Sequence, residues 1–372
     1  MKNTFGTAIS VTIFGESHGA AVGAVIDGLA AGIPVDRKYI AEQMSRRKAK
    51  SDGLSTTRLE ADSVEFVSGV YNDHTTGTAI TLLIYNRNTR SNDYAKTADL
   101  LRPGHADLTA YAKYDGWQDA RGGGHFSGRI TAAVVAAGAL CRSVLQAKGV
   151  EIATHLRKCG GVEDLPFAEQ KNKLMQQQKM LNQMDFATIS QTAGEAMQQA
   201  IRQAGREGDS VGGVLETAVT GIDAGLGEPF FESVESVLAQ LMFSIPAVKG
   251  IEFGAGFGFA DLQGSTANDP FQMQGDTIVT TTNHNGGING GITNGMPIIF
   301  RTVVKPTPSI YKEQQTVNYT DKQNAVLQIH GRHDPCILPR ARAVQDAMCA
   351  IGLLDLYTQR FGTLWHTQEA RQ

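Results

Sequence analysis

Two histidines of the sequence lie in short glycine-bearing turns, where an imidazole is well placed to exchange protons with a ligand. His18 belongs to the run 15–19 (GESHG), directly after a strand-like segment, and His105 belongs to the run 102–107 (RPGHAD). Histidine has an ordinary pKa of about 6.5 and is the usual side chain for proton transfer near neutral pH. A single turn histidine more often makes a structural hydrogen bond, but two such turns favour proton chemistry. We expect the His18 ring to have little steric cover.

Arginines accompany these turns, and a guanidinium fork is suited to a carboxylate or a phosphate. Arg102 precedes His105 in its turn, and Arg121 and Arg129 flank three glycines in the run 119–129 (DARGGGHFSGR), just before a predicted helix. Backbone N–H groups of such a loop are able to bind a phosphate or an electron-rich ring. The run has no Gly-Lys-Ser/Thr ending and follows no strand, so neither nucleotide hydrolysis nor a dinucleotide fold is indicated. The sequence predicts an anion site here.

A further basic segment, 45–50 (SRRKAK), ends an amphipathic run. Cations favour the C-terminal ends of helices, so the segment is explained by a solvated helix end. Alternatively, Arg46 and Arg47 belong to the anion site, with the following loop as a lid.

The second half of the chain contributes three candidate segments. The runs 282–291 (TNHNGGINGG) and 305–309 (KPTPS) offer exposed backbone and hydroxyl groups suited to a cofactor phosphate or the polar edge of a ring. In 331–336 (GRHDPC), Arg332 and Asp334 come just before a predicted helix. The neighbouring histidines lack the spacing and the acidic partners of a zinc site, so no metal site is predicted.

Composition limits the possible partners. The chain has 372 residues, 41 glycines and a formal net charge of −3, so it has no overall positive field to recruit nucleic acid or a membrane surface. Its four cysteines form no CxxC pair and its first residues do not resemble a secretory signal, which favours a reducing cytoplasm. The apolar run 131–140 is too short to cross a bilayer, and we predict no membrane span.

The hydrophobic pattern indicates an α/β (α+β) fold without regular βαβ spacing. The runs 9–14, 22–26, 64–70 and 79–85 are predicted strands, and 130–146 is a predicted buried helix. The segment 167–203 is rich in Gln, Lys, Met and Ala and is predicted to form one or two surface helices.

An ordered internal similarity accompanies this pattern. The run 15–19 resembles 208–212 (GDSVG), 72–88 resembles 289–306, and the helix after Gly124 has a counterpart after Pro335. Duplication of a large unit explains this order, and chance similarity among glycine-rich strands is the alternative. The expectation is a single domain, 1–372, with halves at about 1–160 and 205–372, a helical connector at about 163–205, and a ligand site between the halves.

The runs GESHG, RPGHAD, RGGGxxSxR, NHNGGIxGG, KPTPS and GRHDPC, in this order along nearly the whole chain, resemble chorismate synthase. The resemblance implies helices sandwiched between antiparallel sheets and a homotetramer. It also implies a carbon–oxygen lyase of aromatic amino acid biosynthesis: a 1,4-elimination of phosphate from 5-enolpyruvylshikimate 3-phosphate, with no net redox change. Reduced FMN would be the cofactor of this flavoprotein family, with which FAD and NADP are also associated, and NADPH is a possible flavin reductant.

The resemblance assigns roles to matching positions. His18 would protonate the departing phosphate, His105 would protonate the flavin near N1, and Asp334 would assist removal of the ring proton. Substrate contacts would come from Arg46, Arg102, Arg121 and Arg129. Cofactor contacts would come from Arg47 (through NADPH), His125, Phe126, Ser127, Pro246, Ala247, Gly290, Lys305, Pro306, Thr307, Pro308, Ser309 and Arg332.

The sequence departs from the family pattern in two places. The common form Arg-Ser-Ser-x-Arg-Glu-Thr is here 125–131 (HFSGRIT), which lacks an acidic group at Ile130, and a lid arginine is replaced by Gly53. Two other functions compete with the synthase. One is a flavin-dependent oxidoreductase, which net redox change of the substrate would reveal. The other is a catalytically silent flavin or anion binder, which would not need three proton-handling groups.

Overall fold

Two five-stranded antiparallel sheets enclose a layer of helices. A computed structural model of the protein describes residues 2–50, 52–56, 60–87, 99–329, 331 and 333–368. Within these ranges the strands are β1 (Thr4–Phe5), β2 (Ser10–Gly15), β3 (Ala21–Asp27), β4 (Ala31–Pro34), β5 (Glu65–Ser68), β6 (Val70–Tyr71), β7 (His74–Thr76), β8 (Ile80–Tyr85), β9 (Glu151–Cys159), β10 (Val162–Glu163), β11 (Gly213–Thr220), β12 (Val248–Phe253), β13 (Phe271–Gln274), β14 (Thr277–Thr280), β15 (Ile288–Asn289), β16 (Ile292–Thr293), β17 (Ile298–Val304), β18 (Glu313–Asn318) and β19 (Gln323–Gln328). The helices are α1 (Arg37–Arg47), α2 (Asp107–Tyr114), α3 (Thr131–Ala147), α4 (Lys171–Gln183), α5 (Gln191–Arg206), α6 (Val234–Phe243), α7 (Gly264–Ala267) and α8 (Leu338–Phe361).

The two sheets have the same strand order. The first runs β1-β2-β3-β8-β5 and the second runs β10-β9-β11-β17-β12. When the two-residue edge strands β1 and β10 are left out, the fourth strand along the chain lies between the second and the third in each sheet. A long helix follows each set of strands, α3 after β8 and α8 after β17. The repeated topology explains the ordered similarity of the two halves.

The boundary expected between the halves is wrong. β9 lies within the predicted first half, 1–160, but it pairs with β11 in the second sheet. By topology the first repeat ends with α3, before residue 150. The segment predicted as a connector contains two helices, as expected, but α4 and α5 lie between strands of the second sheet and not between the repeats. α4 packs against β9 and closes a small second core that includes Leu174, Leu181 and Ala218.

The helical layer is held together by small residues in α3. A side chain at Gly138 would place its Cβ 2.4 Å from the Cβ of Ala347, so the glycine lets α3 and α8 cross closely. The segment 128–147 is long and apolar enough to cross a membrane by length and composition alone, which makes it longer than the predicted apolar run. Of its most apolar window, 78% is buried between the sheets, as in the core helix of a globular protein.

Buried and more exposed residues alternate along the strands, so one face of each sheet packs against the helical layer. In β8, Ile80, Leu82 and Ile84 are almost fully buried, while the residues between them are partly exposed. A period of two places all three side chains on one face of the sheet. The predicted strands 9–14, 22–26 and 79–85 and the predicted helix 130–146 match β2, β3, β8 and α3 to within a few residues.

Candidate functional site

A cavity of about 1880 Å³ opens where the two long core helices begin. The first turns of α3 and α8 line it, together with the end of α1 and strand residues such as Phe5 and Ile13. Pockets for one small molecule usually have about 300–1,000 Å³. The cavity therefore has room for more than one ligand, and residues of both repeats form its wall.

The described wall of this cavity has a surplus of positive charge. Nine basic side chains face five acidic ones there, although the whole chain has a net charge of −3. Two helix N-termini add to this surplus, because unpaired N–H groups give them a partial positive charge. The basic residues are Lys2, Arg47, Lys48, Arg102, Arg121, Arg129, Lys249, Lys305 and Arg340.

The turn 102–107 of the first repeat docks on the run 305–309 of the second. His105 Nε2 lies 2.8 Å from the hydroxyl of Ser309, and Lys305 Nζ donates to the carbonyl of Gly104 at 2.6 Å. Gly104 has a φ of 73°, and a Cβ there would lie 2.8 Å from Pro308. The glycine thus allows both the turn and the close approach, and the two runs form one wall.

The protonation state of His105 follows from its neighbours. Its Nδ1 lies 3.0 Å from the carbonyl of Pro103, which only accepts, so Nδ1 carries the proton and Nε2 accepts from Ser309. Burial, and secondly the charge of Arg102, lowers the pKa of His105 to about 4. The ring is therefore neutral at pH 7 in the ligand-free protein. An anion bound beside it would raise this pKa, because opposite charge favours the imidazolium.

Two arginines of the wall are held by nearby carboxylates. Arg102 makes a bidentate pair with Asp107, at 2.8 and 2.7 Å, and Arg121 makes one with Asp119, at 2.9 Å for both bonds. Burial alone would raise the pKa of Asp107, but the hydrogen bonds from Arg102 outweigh it and keep the pKa below its usual value. The planar forks are thereby fixed in direction before any ligand binds.

The three glycines after Arg121 cover His18. Gly122, Gly123 and Gly124 all have positive φ, and a Cβ at Gly122 would lie 2.5 Å from the ring of His18. Only 9% of His18 is exposed, and it is absent from the wall of the cavity. The expectation of an uncovered ring is wrong, because the glycines bring the backbone against it.

One buried carboxylate joins two cavity arginines. Asp62 accepts from Arg47 Nη2 at 2.6 Å through one oxygen and from Arg129 Nη1 through the other. We call Arg47, Asp62 and Arg129 the arginine cluster. Burial opposes ionisation of Asp62, but the two guanidinium groups prevail and lower its pKa. The cluster combines two cations with one anion at its centre, and Glu60 adds a second carboxylate at 2.7 Å from Arg129.

Arg129 also reaches the turn of His18. Its Nε donates to Asn86 Oδ1 at 2.8 Å, and the Asn86 amide donates to the carbonyls of Glu16 and Gly19. Sequence reasoning identified Arg129 and Arg47 but missed Asp62, Glu60 and Asn86, because nothing in the local pattern links them.

Arg46 lies away from the cavity. It pairs with the buried Asp346 of α8 at 2.7 Å and with Gln43 at 2.7 Å. Successive residues of a helix point about 100° apart, so Arg46 enters the helical layer while Arg47 faces the cavity. The structure therefore does not support Arg46 as a substrate contact. Its charge is paired with that of Asp346 in the core.

Asp334 lies in the wall and is held from two sides. One oxygen accepts from the backbone N–H of Thr56 at 2.9 Å, and the other pairs with Arg340 Nη1 at 2.7 Å. Arg340, in the first turn of α8, was not identified from the sequence. The sequence did contain a signal for Arg340: a cation in the first turn of a predicted helix is unfavourable unless an anion accompanies it, which suggests a nearby carboxylate.

Comparison with known proteins decides the family. A family model described as chorismate synthase matches residues 9–358. Among curated relatives, chorismate synthases of Dehalococcoides mccartyi, Chitinophaga pinensis and Thermococcus gammatolerans are 47%, 45% and 43% identical, over 96%, 95% and 95% of this chain and 96%, 96% and 97% of theirs. The chain belongs to the chorismate synthase family. A solved structure described as "Crystal Structure of Chorismate Synthase" matches with a TM-score of 0.76 and 28% identity, covering 96% of this chain and 94% of that one. The predicted family and the predicted α+β sandwich are confirmed.

The structure places most, but not all, of the residues that the chorismate synthase pattern implies for a cofactor in the wall of the cavity. Most of them line the cavity: Arg47, His125, Phe126, Ser127, Pro246, Ala247, Lys305, Thr307, Pro308 and Ser309. Pro306 and Gly290 are not in its wall; Gly290 lies in the turn between β15 and β16, where a Cβ would meet nothing within 4 Å. Arg332 lies outside the described residues.

The glycine-rich run 282–291 is organised by Asp269. The Asp269 carboxylate accepts from the backbone of His284 at 2.7 Å and of Asn285 at 2.9 Å, and also from the hydroxyl of Thr282 at 2.7 Å. Gly286 and Gly287 have positive φ and lie close to neighbouring backbone. The run is thus explained by its turn geometry, and its role in binding a cofactor stays a prediction.

Proposed function

We propose that the protein converts 5-enolpyruvylshikimate 3-phosphate to chorismate by a 1,4-elimination of phosphate and a ring proton, with reduced FMN as cofactor and no net redox change. The observation that carries this proposal is the positively charged cavity, whose wall contains both His105 and Asp334. Membership of the chorismate synthase family supports the reaction class.

The charges of the wall suit such a substrate. It has one phosphate and two carboxylates, and the surplus of basic side chains offers fixed partners for all three. Because Arg102 and Arg121 are already oriented by carboxylates, they bind an anion without first losing much side-chain freedom. Stabilising the departing phosphate in this way lowers the barrier to its loss.

The wall also fits a flavin. Among the described residues, the hydroxyl of Thr307 and the Oε1 atom of Gln118 are buried in the wall without a hydrogen-bond partner. A cofactor with a polar edge would supply partners, and the cavity has space for it beside the substrate. When bound, reduced FMN supplies electron density that helps an allylic phosphate to depart.

The chain's own residues handle the protons. We assign His105 to hold a proton at Nε2 toward the flavin once a bound anion has raised its pKa. Asp334 is assigned to assist removal of the ring proton. His18 lies behind Gly122 and would act on the phosphate from beneath the glycine loop. Arg47 would help to hold NADPH if the protein reduces its own flavin, although its guanidinium is engaged with Asp62.

Release of phosphate tests the function. Anaerobic 5-enolpyruvylshikimate 3-phosphate is mixed with the protein and a catalytic amount of photochemically reduced FMN, and then with NADPH and oxidised FMN instead. We expect turnover in the first arm, and turnover in the second only if the protein reduces its own flavin. Net oxidation or reduction of the substrate would favour the oxidoreductase. A folded, FMN-binding protein without turnover would favour the silent binder.

The homotetramer is a separate part of the proposal. Four phenylalanines of the second repeat, Phe230, Phe231, Phe257 and Phe271, each expose more than 70% of their surface. Exposed aromatic side chains in such number favour association. Sedimentation velocity should give a species of four chains of 39.9 kDa each, and a monomer at micromolar concentration would contradict it. The four free, buried cysteines fit the reducing cytoplasm that we also propose.

A further inference from the structure

Arg340 occupies an electrostatically unfavourable position unless its partner is present. It is the third residue of α8, in the first turn, where the helix dipole repels a cation. Its Nη1 atom lies 2.7 Å from Asp334 Oδ2, and both side chains are largely buried, with 23% and 14% of their surface exposed. The carboxylate of Asp334 offsets the charge of the guanidinium at this position.

The same guanidinium also binds the end of α1. Its Nε atom donates to the carbonyl of Arg47 at 2.9 Å. Arg47 is the last residue of α1, and carbonyls in the last turn of a helix have no partner within it. One planar group thus joins the segment of Asp334, in the second repeat, to the end of a helix in the first. The side chain of Arg47 continues this connection to Asp62.

The direction of the Asp334 carboxylate depends on this arrangement. Its other oxygen accepts from the N–H of Thr56 at 2.9 Å. With both contacts the carboxylate plane is fixed; with the Thr56 contact alone the side chain can rotate about it. Proton transfer requires the acceptor within hydrogen-bond reach of the proton, so rotation directly lowers the rate.

We infer that Arg340 is a positioning residue, which fixes the Asp334 carboxylate against the end of α1 across the junction of the two repeats. The inference rests on the proposed role of Asp334. Arg340 itself need not contact the substrate. A lysine has a single ammonium on a flexible stem and cannot reproduce the planar fork that serves two acceptors in different directions.

A double-mutant cycle tests this role. Arg340→Gln, Asp334→Asn and the double variant are compared in anaerobic turnover with reduced FMN. If Arg340 acts through Asp334, Arg340→Gln lowers kcat by about 10²-fold, with KM and the FMN dissociation constant changed less than about threefold. The double variant then loses no more than Asp334→Asn alone, because coupled residues are not additive. Guanidinium chloride, below denaturing concentration, should partly restore Arg340→Ala.

Arg360→Gln is the matched control, since Arg360 is exposed near the other end of α8 and bonds the carbonyl of Gly225. It should retain wild-type turnover. If Arg340→Gln does not fold, Arg340→Lys takes its place in the cycle, with an intermediate loss expected.

Four results separate the possibilities. Losses that multiply in the double variant, together with weaker FMN binding, would show a merely structural role and overturn the inference. Full turnover of Arg340→Gln would also overturn it. A wild-type protein that does not release phosphate would instead contradict the proposed function, and a fully active Asp334→Asn would remove the assigned role of Asp334.

Discussion

Two buried charge clusters of this protein use opposite proportions of charge. The arginine cluster of the first repeat places Asp62 between two arginines. In the second repeat, His155 lies between two carboxylates, with Asp164 at 3.1 Å and Glu216 at 3.0 Å; we call these three the histidine cluster. The first cluster lies in the wall of the cavity, where basic side chains outnumber acidic ones, whereas the second is enclosed.

The two clusters differ in the further partners of their charged side chains. Asp164 also accepts from the backbone N–H groups of Ile189 and Ser190 at the start of α5, and Glu216 accepts from Phe167 N and from Arg301. Every partner that the histidine cluster needs is thus supplied by the protein. With Glu60 as its second carboxylate the arginine cluster is balanced in charge, but it lies in a cavity wall with nine basic and five acidic side chains, where a bound anion can add a further partner. A buried charge cluster indicates a binding site when it lies in the wall of a cavity whose overall charge is unbalanced.

The largest effect is expected when the central anion of the arginine cluster is removed. Asp62→Ala leaves the buried guanidinium of Arg47 without its carboxylate and Arg129 with Glu60 alone, and loss of one partner of a buried pair costs about 3–5 kcal/mol. Denaturant unfolding should show this loss. In the folded fraction, KM for the substrate should rise at least about tenfold, because the arginines lose their orientation. An unchanged KM would show that the cluster does not bind the substrate.

His155→Gln should reduce stability by a similar amount, about 3–5 kcal/mol, but leave kcat and KM of the folded protein unchanged. The substitution leaves Asp164 and Glu216 buried without the imidazolium between them, and neither carboxylate lies in the wall of the cavity. A change in KM equal to that of Asp62→Ala would remove the distinction between the clusters.

The histidine cluster also predicts how stability changes with pH. Burial opposes the charge of His155, but the hydrogen bonds that it donates to Asp164 and Glu216 prevail and raise its pKa above 6.5. A raised pKa contributes stability that is fully present below about pH 6.5 and is lost as the pH rises through the folded-state value. Burial also opposes ionisation of the two carboxylates, yet their pKa values are lowered, so their contribution is lost in acid. Urea unfolding at several pH values should show a smaller alkaline decline in His155→Gln.

The smallest effect concerns His105 in the cavity. Its ring resonances should titrate near pH 4 in the free protein, as burial lowers its pKa to about 4. Inorganic phosphate should raise the midpoint in the wild type, because a bound anion favours the charged ring. The ring of His155 should not respond to phosphate. A His105 midpoint near 6.5 that ignores phosphate would contradict an anion site beside it.

Sequence patterns predicted the residues that carry their own local signal. The turns of His105 and Lys305 were identified because proline and glycine mark them, and the structure brings both into one wall. The buried helix and three of the strands were identified because their periodicity is strong. Asp62, Thr56 and Arg340 were missed because their roles depend on partners up to 293 residues away, as for the bond between Arg340 and the carbonyl of Arg47.

Errors arose where one local pattern allows two environments. Adjacent arginines, Arg46 and Arg47, look alike in sequence, yet helix geometry sends them to different places. The glycines beside His18 suggested exposure, whereas they allow a close approach of backbone that buries the ring. The limit of the first repeat was misplaced because β9 follows α3 without a break in composition.

Hydrogen–deuterium exchange tests most directly whether the cavity, and not another charged region, binds the ligands. The wild-type protein is compared with and without 5-enolpyruvylshikimate 3-phosphate and FMN. We predict slower exchange in peptides covering 102–107, 119–131 and 334–340, which form the wall, and no change in 187–193 beside the histidine cluster. Unchanged exchange throughout the wall, with ligands bound elsewhere on the protein, would contradict the account.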